Sequence, residues 1–313
     1  MSKYRTCLPE LNGQRFLTDG GMETILVFDE GKELPCFASF PLGQTAEGRD
    51  WLNAYAHRHI DIAERYGMGF ILGSATWRAS RDWGQQLGFT KQQLSDVQQI
   101  LIDDLFAVQK KRETPEMPIV ISGCIGPRGD GYDPGMLMTE GEAQDYHSEQ
   151  IATLEAAGVD VITAMTLTNI PEATGVARAA TAAGLPVVIS FTVETDGRLP
   201  TGDELAMAIE EVDAATNKAP AYYMINCAHP DHFEATLAKS GPWRDRLMGL
   251  RANASRKSHA ELDCCETLDN GDPVALGQEL GALATQFPEI KVLGGCCGTD
   301  PRHIEEIAKN FGR

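Results

Sequence analysis

Three cysteines stand where they could act on one centre. Cys296 and Cys297 are adjacent in VLGGCCGTDPRHI (292–304), with two glycines before them and one after. Cys227 lies about 70 residues upstream, in INCAHP (225–230). Each ends a short apolar run that reads as a strand. Adjacent residues of a regular strand face opposite ways, so both thiols turn to one point only if the backbone bends. Gly294, Gly295 and Gly298 make that bend accessible. Three converging thiolates would leave a fourth zinc position open, the pattern of a reactive rather than a structural centre. Three thiolates more than cancel the charge of the ion. Such a centre activates water poorly, but it suits a thiol substrate held as a nucleophilic thiolate at neutral pH. The chemistry this predicts is alkyl transfer to sulfur. Spacing alone keeps two other readings open. Cysteine is common in cores as a small hydrophobe, and neighbouring cysteines can form a strained disulfide.

Elements must bring these residues together. Eight apolar, β-branched runs read as strands: 15–20, 68–75, 118–126, 160–166, 186–192, 221–227, 247–254 and 291–297. Most are continuous rather than alternating, as expected of strands buried on both faces of a parallel sheet. Amphipathic stretches separate them. In 91–113, Leu94, Val97, Leu101, Leu105 and Val108 recur at helical spacing. The stretch 147–158 ends at Gly158, a C-cap residue, and 172–184 ends at Gly184. Thr299-Asp300-Pro301 opens a last helix with an N-cap and a first-position proline. Strands alternating with helices over 313 residues predict an α/β fold, a (β/α)8 TIM barrel, as a single domain over 1–313. An open doubly wound sheet fits less well, because no glycine-rich phosphate loop follows an early strand. The long connections 20–50 and 126–139 then lie on the strand C-terminal face and read as lids.

Composition narrows the partners. The formal charge of −18 and pI near 4.8 argue against nucleic-acid or anionic-membrane surfaces. No apolar run approaches the roughly 18 residues of a membrane span, and the first residues lack a signal-peptide stretch. These features predict a cytoplasmic protein. In a reducing compartment its eight cysteines read as thiols or ligands rather than a disulfide framework.

GGCCGTDPRHI, the NC pair ending the sixth strand and LTDGGMET (17–24) at the first together resemble the homocysteine S-methyltransferase family. The family includes betaine-, S-methylmethionine- and cobalamin-linked enzymes, and the resemblance runs over nearly the whole chain. It implies a barrel binding one zinc through Cys227, Cys296 and Cys297. It implies homocysteine held as a thiolate on that zinc, attacking a methyl group in line to give methionine. It also implies that Asp19, with Gly20 and Gly21, holds the substrate ammonium. Thr76, in Ser74-Ala75-Thr76, would lie beside the substrate, and Asn226 would precede the first ligand. By residue type alone, Asp19 is a turn or cap residue and Thr76 a buried hydroxyl bonded to backbone. One position departs from the family. Many members carry a glutamate at the end of strand four, where this chain has Met165. A thioether accepts hydrogen bonds weakly. Either Asp19 or Glu23 compensates, or the acceptor is another thiol.

The expected activity is therefore zinc-dependent methyl transfer from a small activated donor to homocysteine. The donor would be S-methylmethionine, another sulfonium or a betaine. A different thiol or selenol acceptor, or demethylation, is the enzymatic alternative. A zinc- or thiol-binding protein without turnover is the other. The partners are small molecules, and a cobalamin donor would need a second protein. A zinc hydrolase fits poorly, since no His-x-His pair occurs on a strand. Trp77 follows strand two and offers a ring face to a cationic donor. Cys264 and Cys265 read as incidental, and Glu194 as a solvated loop acid. His229 flanks one cysteine motif and His303 the other. Either could orient a ligand, with a helix-surface or loop place the expectation for His303.

Overall fold

The computed structural model describes residues 2–265 and 267–312. The apolar runs form the strands β1 (Phe16–Leu17), β2 (Gly69–Gly73), β3 (Ile119–Ile125), β4 (Val161–Leu167), β5 (Val187–Phe191), β6 (Tyr222–Asn226), β7 (Leu247–Ala252) and β8 (Val292–Gly295). All neighbouring pairs are parallel. The sheet closes where Phe16 and Leu17 of β1 register with Val292 and Leu293 of β8. Nearly all strand residues are buried, with helices outside and side chains inside, which is why the runs do not alternate. Inside the barrel pack Phe16, Ile71, Val120, Val188 and Val292. Outside it, residues such as Phe70, Ile121, Ile162 and Ile189 meet the surrounding helices.

A long helix follows each strand: α1 (Ala46–Arg65), α2 (Lys91–Arg112), α3 (Glu140–Ala157), α4 (Ile170–Ala182), α5 (Leu205–Thr216), α6 (Pro230–Leu237), α7 (Pro273–Gln286) and α8 (Pro301–Phe311). Their ends are set by the sequence. Thr90 and Gln93 form a capping box at the start of α2, and Lys110, Lys111 and Arg112 offset the dipole at its end. α3 begins ahead of the expected His147, because Thr139 and Glu142 form a second box. It stops at Gly158, whose φ of 94° suits glycine. Asp300 caps α8.

The connection 20–50 is not an open lid. It winds into short helical turns, and Leu26, Ala38 and Phe40 are buried against Tyr55, Val97 and Leu101. The 126–139 loop stays open, and Met136 at its tip is 97% exposed. At the opposite end, the N-terminal segment closes the barrel floor. Leu8 joins the interior cluster, and Asp160 accepts the Lys3 and Tyr4 amides at 2.7 and 2.8 Å. No helix among the described residues is long and apolar enough to cross a membrane.

Candidate metal and substrate site

The three thiols meet at the C-terminal mouth of the barrel. The sulfurs of Cys227, Cys296 and Cys297 all lie within 4.8 Å of one another. Two local conformations bring them there. β6 ends at Asn226, and Cys227 takes a left-handed φ of 55°, costly for a residue with a side chain and found where a site holds it. β8 ends at Gly295, so Cys296 leaves the strand and Cys297 enters a turn completed by Gly298, with φ 78°. The expected bend therefore uses Gly298. Gly294 and Gly295 stay in the strand, where the space for a Cβ is taken by Thr18 and Thr299.

Cys227 and Cys296 are joined as a disulfide, their Cα atoms 5.4 Å apart, while Cys297 is free. The pair spans two strands rather than the adjacent cysteines. Metal binding requires its reduction. The donor set then fits zinc, because three soft thiolates converge on one point and each sulfur has a polar neighbour. Thr166 Oγ1 lies 3.9 Å from Cys227 Sγ, Asn226 Nδ2 3.9 Å from Cys296 Sγ, and the Tyr132 hydroxyl 3.6 Å from Cys297 Sγ. Burial pushes the Cys297 thiol up, against the lowering effect of the Tyr132 hydroxyl. A thiolate here therefore needs a cation beside it.

Behind the thiols the backbone is held by side chains. Asn226 Oδ1 accepts from the Thr166 amide at 2.8 Å and from Ser190 Oγ at 2.6 Å, while Nδ2 donates to Thr166 Oγ1 at 2.8 Å. Thr166 sits in a register slip between β4 and β5, with φ 62°. His259 Nε2 donates to the Cys227 carbonyl at 2.7 Å, and its Nδ1 is 3.0 Å from Glu194. Glu194 is thus a partner of His259 rather than a free loop acid. The His259 ring stacks on Tyr132, centroids 3.9 Å apart.

A cavity of about 460 Å³ opens over the thiols. Of the predicted residues, Asp19, Gly20, Glu23, Met165, Asn226 and Trp77 line it with the three cysteines. Thr76 is not among the lining residues. It is fully buried and its hydroxyl donates to the Cys124 carbonyl at 2.6 Å, the backbone-bonded role. Ser74 lines the cavity in its place. Gly21 supports from behind: its amide donates to the Thr299 carbonyl at 3.0 Å, and a Cβ would stand 2.5 Å from the Cys296 carbonyl oxygen. Glu23 Oε1 accepts from Ser39 Oγ at 2.7 Å, and burial pushes its carboxyl up.

Arg251, Tyr132, Thr166 and His259 were not singled out from sequence. Arg251 Nη2 donates to Asp19 Oδ1 at 2.7 Å, so the acid expected to meet an ammonium already carries a guanidinium. Trp77 shares its ring with Arg78, whose guanidinium carbon is 4.2 Å from that centroid and 4.0 Å from the Trp83 centroid. Burial pushes the Cys124 thiol up to about 12, so this cavity residue is a neutral wall. His229 does not orient a thiol. It caps α6 through Nδ1, and burial lowers it to about 4. With Asp231 and Glu279 it forms a second close group, but Arg256 bridges both acids there. His303 is buried, not on the helix surface: its Nδ1 accepts the Asp300 amide and its Nε2 donates to the Asn270 carbonyl.

The family described as homocysteine S-methyltransferase matches the chain over residues 16–311. The chain is 26% identical over 215 residues to homocysteine S-methyltransferase YbgG of Bacillus subtilis, covering 66% of this chain and 65% of that protein. It is 22% identical over 272 residues to homocysteine S-methyltransferase 4 of Zea mays, covering 80% and 77%. Among solved structures it superposes on the metallated form of the homocysteine methyltransferase MmuM from Escherichia coli. That superposition has a TM-score of 0.71 and 19% identity, over 96% of this chain and 98% of that one.

Proposed function

The chain belongs to the homocysteine S-methyltransferase family, and from that premise we propose that it is a zinc-dependent S-methyltransferase. It carries a methyl group from a small activated donor to the thiolate of homocysteine, forming methionine. The observation that carries this reading is the convergence of Cys227, Cys296 and Cys297 at the wall of one cavity. Zinc held by these residues would supply the acidity that lets an acceptor thiol lose its proton at neutral pH.

The chain's own residues do the rest. Asn226 ties the end of β6 to Thr166 of β4, His259 holds the Cys227 carbonyl, and the Tyr132 hydroxyl faces the sulfur of Cys297. The apolar wall, including Met165 and Cys124, lowers the local polarity and strengthens the interactions of charged groups within the cavity. An acceptor sulfur and a donor methyl confined together gain from proximity and alignment. The donor would be a small sulfonium or betaine. A second reading changes only the acceptor, to another thiol or a selenol, and rests on Met165 lining the cavity, at the position where the resemblance to the family implies a glutamate.

The test is zinc content and methyl transfer in Cys227→Ala, Cys296→Ala and Cys297→Ala, each purified reduced. Each variant is expected to lose stoichiometric zinc, and methyl transfer is expected to fall by at least about a thousandfold, the scale of losing a catalytic metal's contribution. Full transfer by any variant without zinc overturns the mechanism.

A further inference from the structure

The acceptor end of the cavity holds a cation that the thiol site does not require. Arg251 stands in β7, in register with Asn226 of β6 and Gly294 of β8. It is thereby placed between the chain segments that carry Cys227 and Cys296. Its side chain is 14% exposed and lines the cavity. Nε donates to the Gly295 carbonyl at 3.1 Å and Nη2 to Asp19 Oδ1 at 2.7 Å. Nη1 has no partner among the described residues.

The acids nearby each hold a partner through one oxygen. Asp19 is paired with Arg251, and Glu23 accepts from Ser39. The remaining position is Met165, which offers only a thioether. The acceptor end therefore presents an unpartnered guanidinium nitrogen beside two carboxyl groups that each already hold one partner. A guanidinium with free N–H groups in a largely buried wall matches the planar fork of a carboxylate with two parallel hydrogen bonds, as it also matches a phosphate, and a carboxylate is the anion that an amino-acid thiol carries. A thiol whose sulfur lies at the cysteine cluster, with three carbons before its carboxylate, spans about 5 Å. Neighbouring strands are separated by about the same distance.

We propose that Arg251 reads the carboxylate of the acceptor, so that the substrate class of this site is a carboxylate-bearing thiol whose α-ammonium contributes little. This rests on the reading of the cysteine cluster as a thiol-accepting zinc site. Asp19 then serves as a positioning residue. It holds the guanidinium against β8 and leaves Nη1 turned to the cavity.

The test is isothermal titration of three thiols into the reduced, zinc-loaded protein, with proton release followed in parallel. They are L-homocysteine, 4-mercaptobutyrate (no ammonium) and 3-aminopropane-1-thiol (no carboxylate). Homocysteine and 4-mercaptobutyrate are expected to bind within about tenfold of each other, and the aminothiol about 10- to 100-fold more weakly, the scale of one charged hydrogen-bonded contact. In Arg251→Gln the gap between the last two ligands should close, and Arg251→Lys should restore part of it. If Arg251→Gln fails to fold, the wild-type series alone decides. An aminothiol that binds as tightly as homocysteine overturns this inference and leaves the thiol-acceptor reading standing. So does a 4-mercaptobutyrate that binds more than about tenfold worse than homocysteine. Silence from all three thiols overturns that reading, and this inference with it.

Discussion

Asn226 shows how one side chain can organise three converging thiols without being one of them. Its carboxamide accepts from β4 and β5, donates back to Thr166, and lies 3.9 Å from the Cys296 sulfur. Thr166 and Cys227 both hold left-handed backbone angles beside it, so the amide stabilises two conformations that would otherwise relax. Asn226→Ala leaves the Thr166 amide and the Ser190 hydroxyl buried without partners, each costing about 1–3 kcal/mol. Zinc affinity should fall about 10- to 100-fold, as when a group that orients metal ligands is removed. Chemical denaturation and chelator competition measure the two effects. Asn226→Asp keeps both acceptor contacts and should recover most of the stability, but not the donation to Thr166. Unchanged zinc affinity in Asn226→Ala would remove this residue from the site. The thiols were legible in the sequence because cysteine is rare and its chemistry narrow. Arg251 was not. An arginine in LMGLRANA reads as an ordinary strand residue, and its partner Asp19 is 232 positions away in sequence, adjacent only once β8 pairs with β1.

The same closure decides which elements carry the site. Each of the eight predicted strands overlaps an observed one, because a strand covered on both faces must be apolar throughout and leaves a continuous run. Connections were less legible. The 20–50 segment has the glycines and charges of a loop, yet its apolar residues find burial against α1 and α2, which local pattern does not reveal. Its start is locked to the turn after β8. The Gly21 amide donates to the Thr299 carbonyl, and the Gly298 amide donates to Thr24 Oγ1 at 3.1 Å. A Cβ at Gly21 would press on both the Cys296 carbonyl and the Thr24 hydroxyl. Gly21→Ala should therefore destabilise the protein by about 1–3 kcal/mol, the range for overpacking, and weaken zinc binding as well. Thr24→Val removes the Gly298 contact without overpacking, so it should lose less stability. Thermal unfolding with and without zinc separates the two. An alanine variant with wild-type stability and zinc affinity would mean that the two loops are not coupled.

At the scale of the whole barrel, the two ends have different tasks. The mouth carries the strained backbone, the thiols and the paired charges, while the floor is sealed by the N-terminal segment. Glu10 lies in that seal, fully buried, with the Tyr222 hydroxyl 3.3 Å from Oε1 and no partner on Oε2. Burial raises its carboxyl to about 7. An acid raised on folding binds its proton more tightly in the native state, so stability is fully present below its unfolded value. Stability is lost as pH rises towards the folded one. The loss should accumulate between the ordinary carboxyl range and about pH 7, and reach a few kcal/mol, since each tenfold change in proton affinity is worth about 1.4 kcal/mol. Glu10→Gln keeps the shape and cannot ionise. Its stability relative to wild type should therefore be least favourable at pH 5 and should improve steadily to about pH 8. Denaturation midpoints of the two proteins across that range give the difference directly, with every other titrating group cancelling. A difference that stays flat would mean that water reaches Glu10 and the floor is not sealed. A difference that grows as expected would place the acid-stabilised element of the barrel at the end away from the thiols. The pH dependence of stability could then be changed by substitution at the floor without touching the mouth.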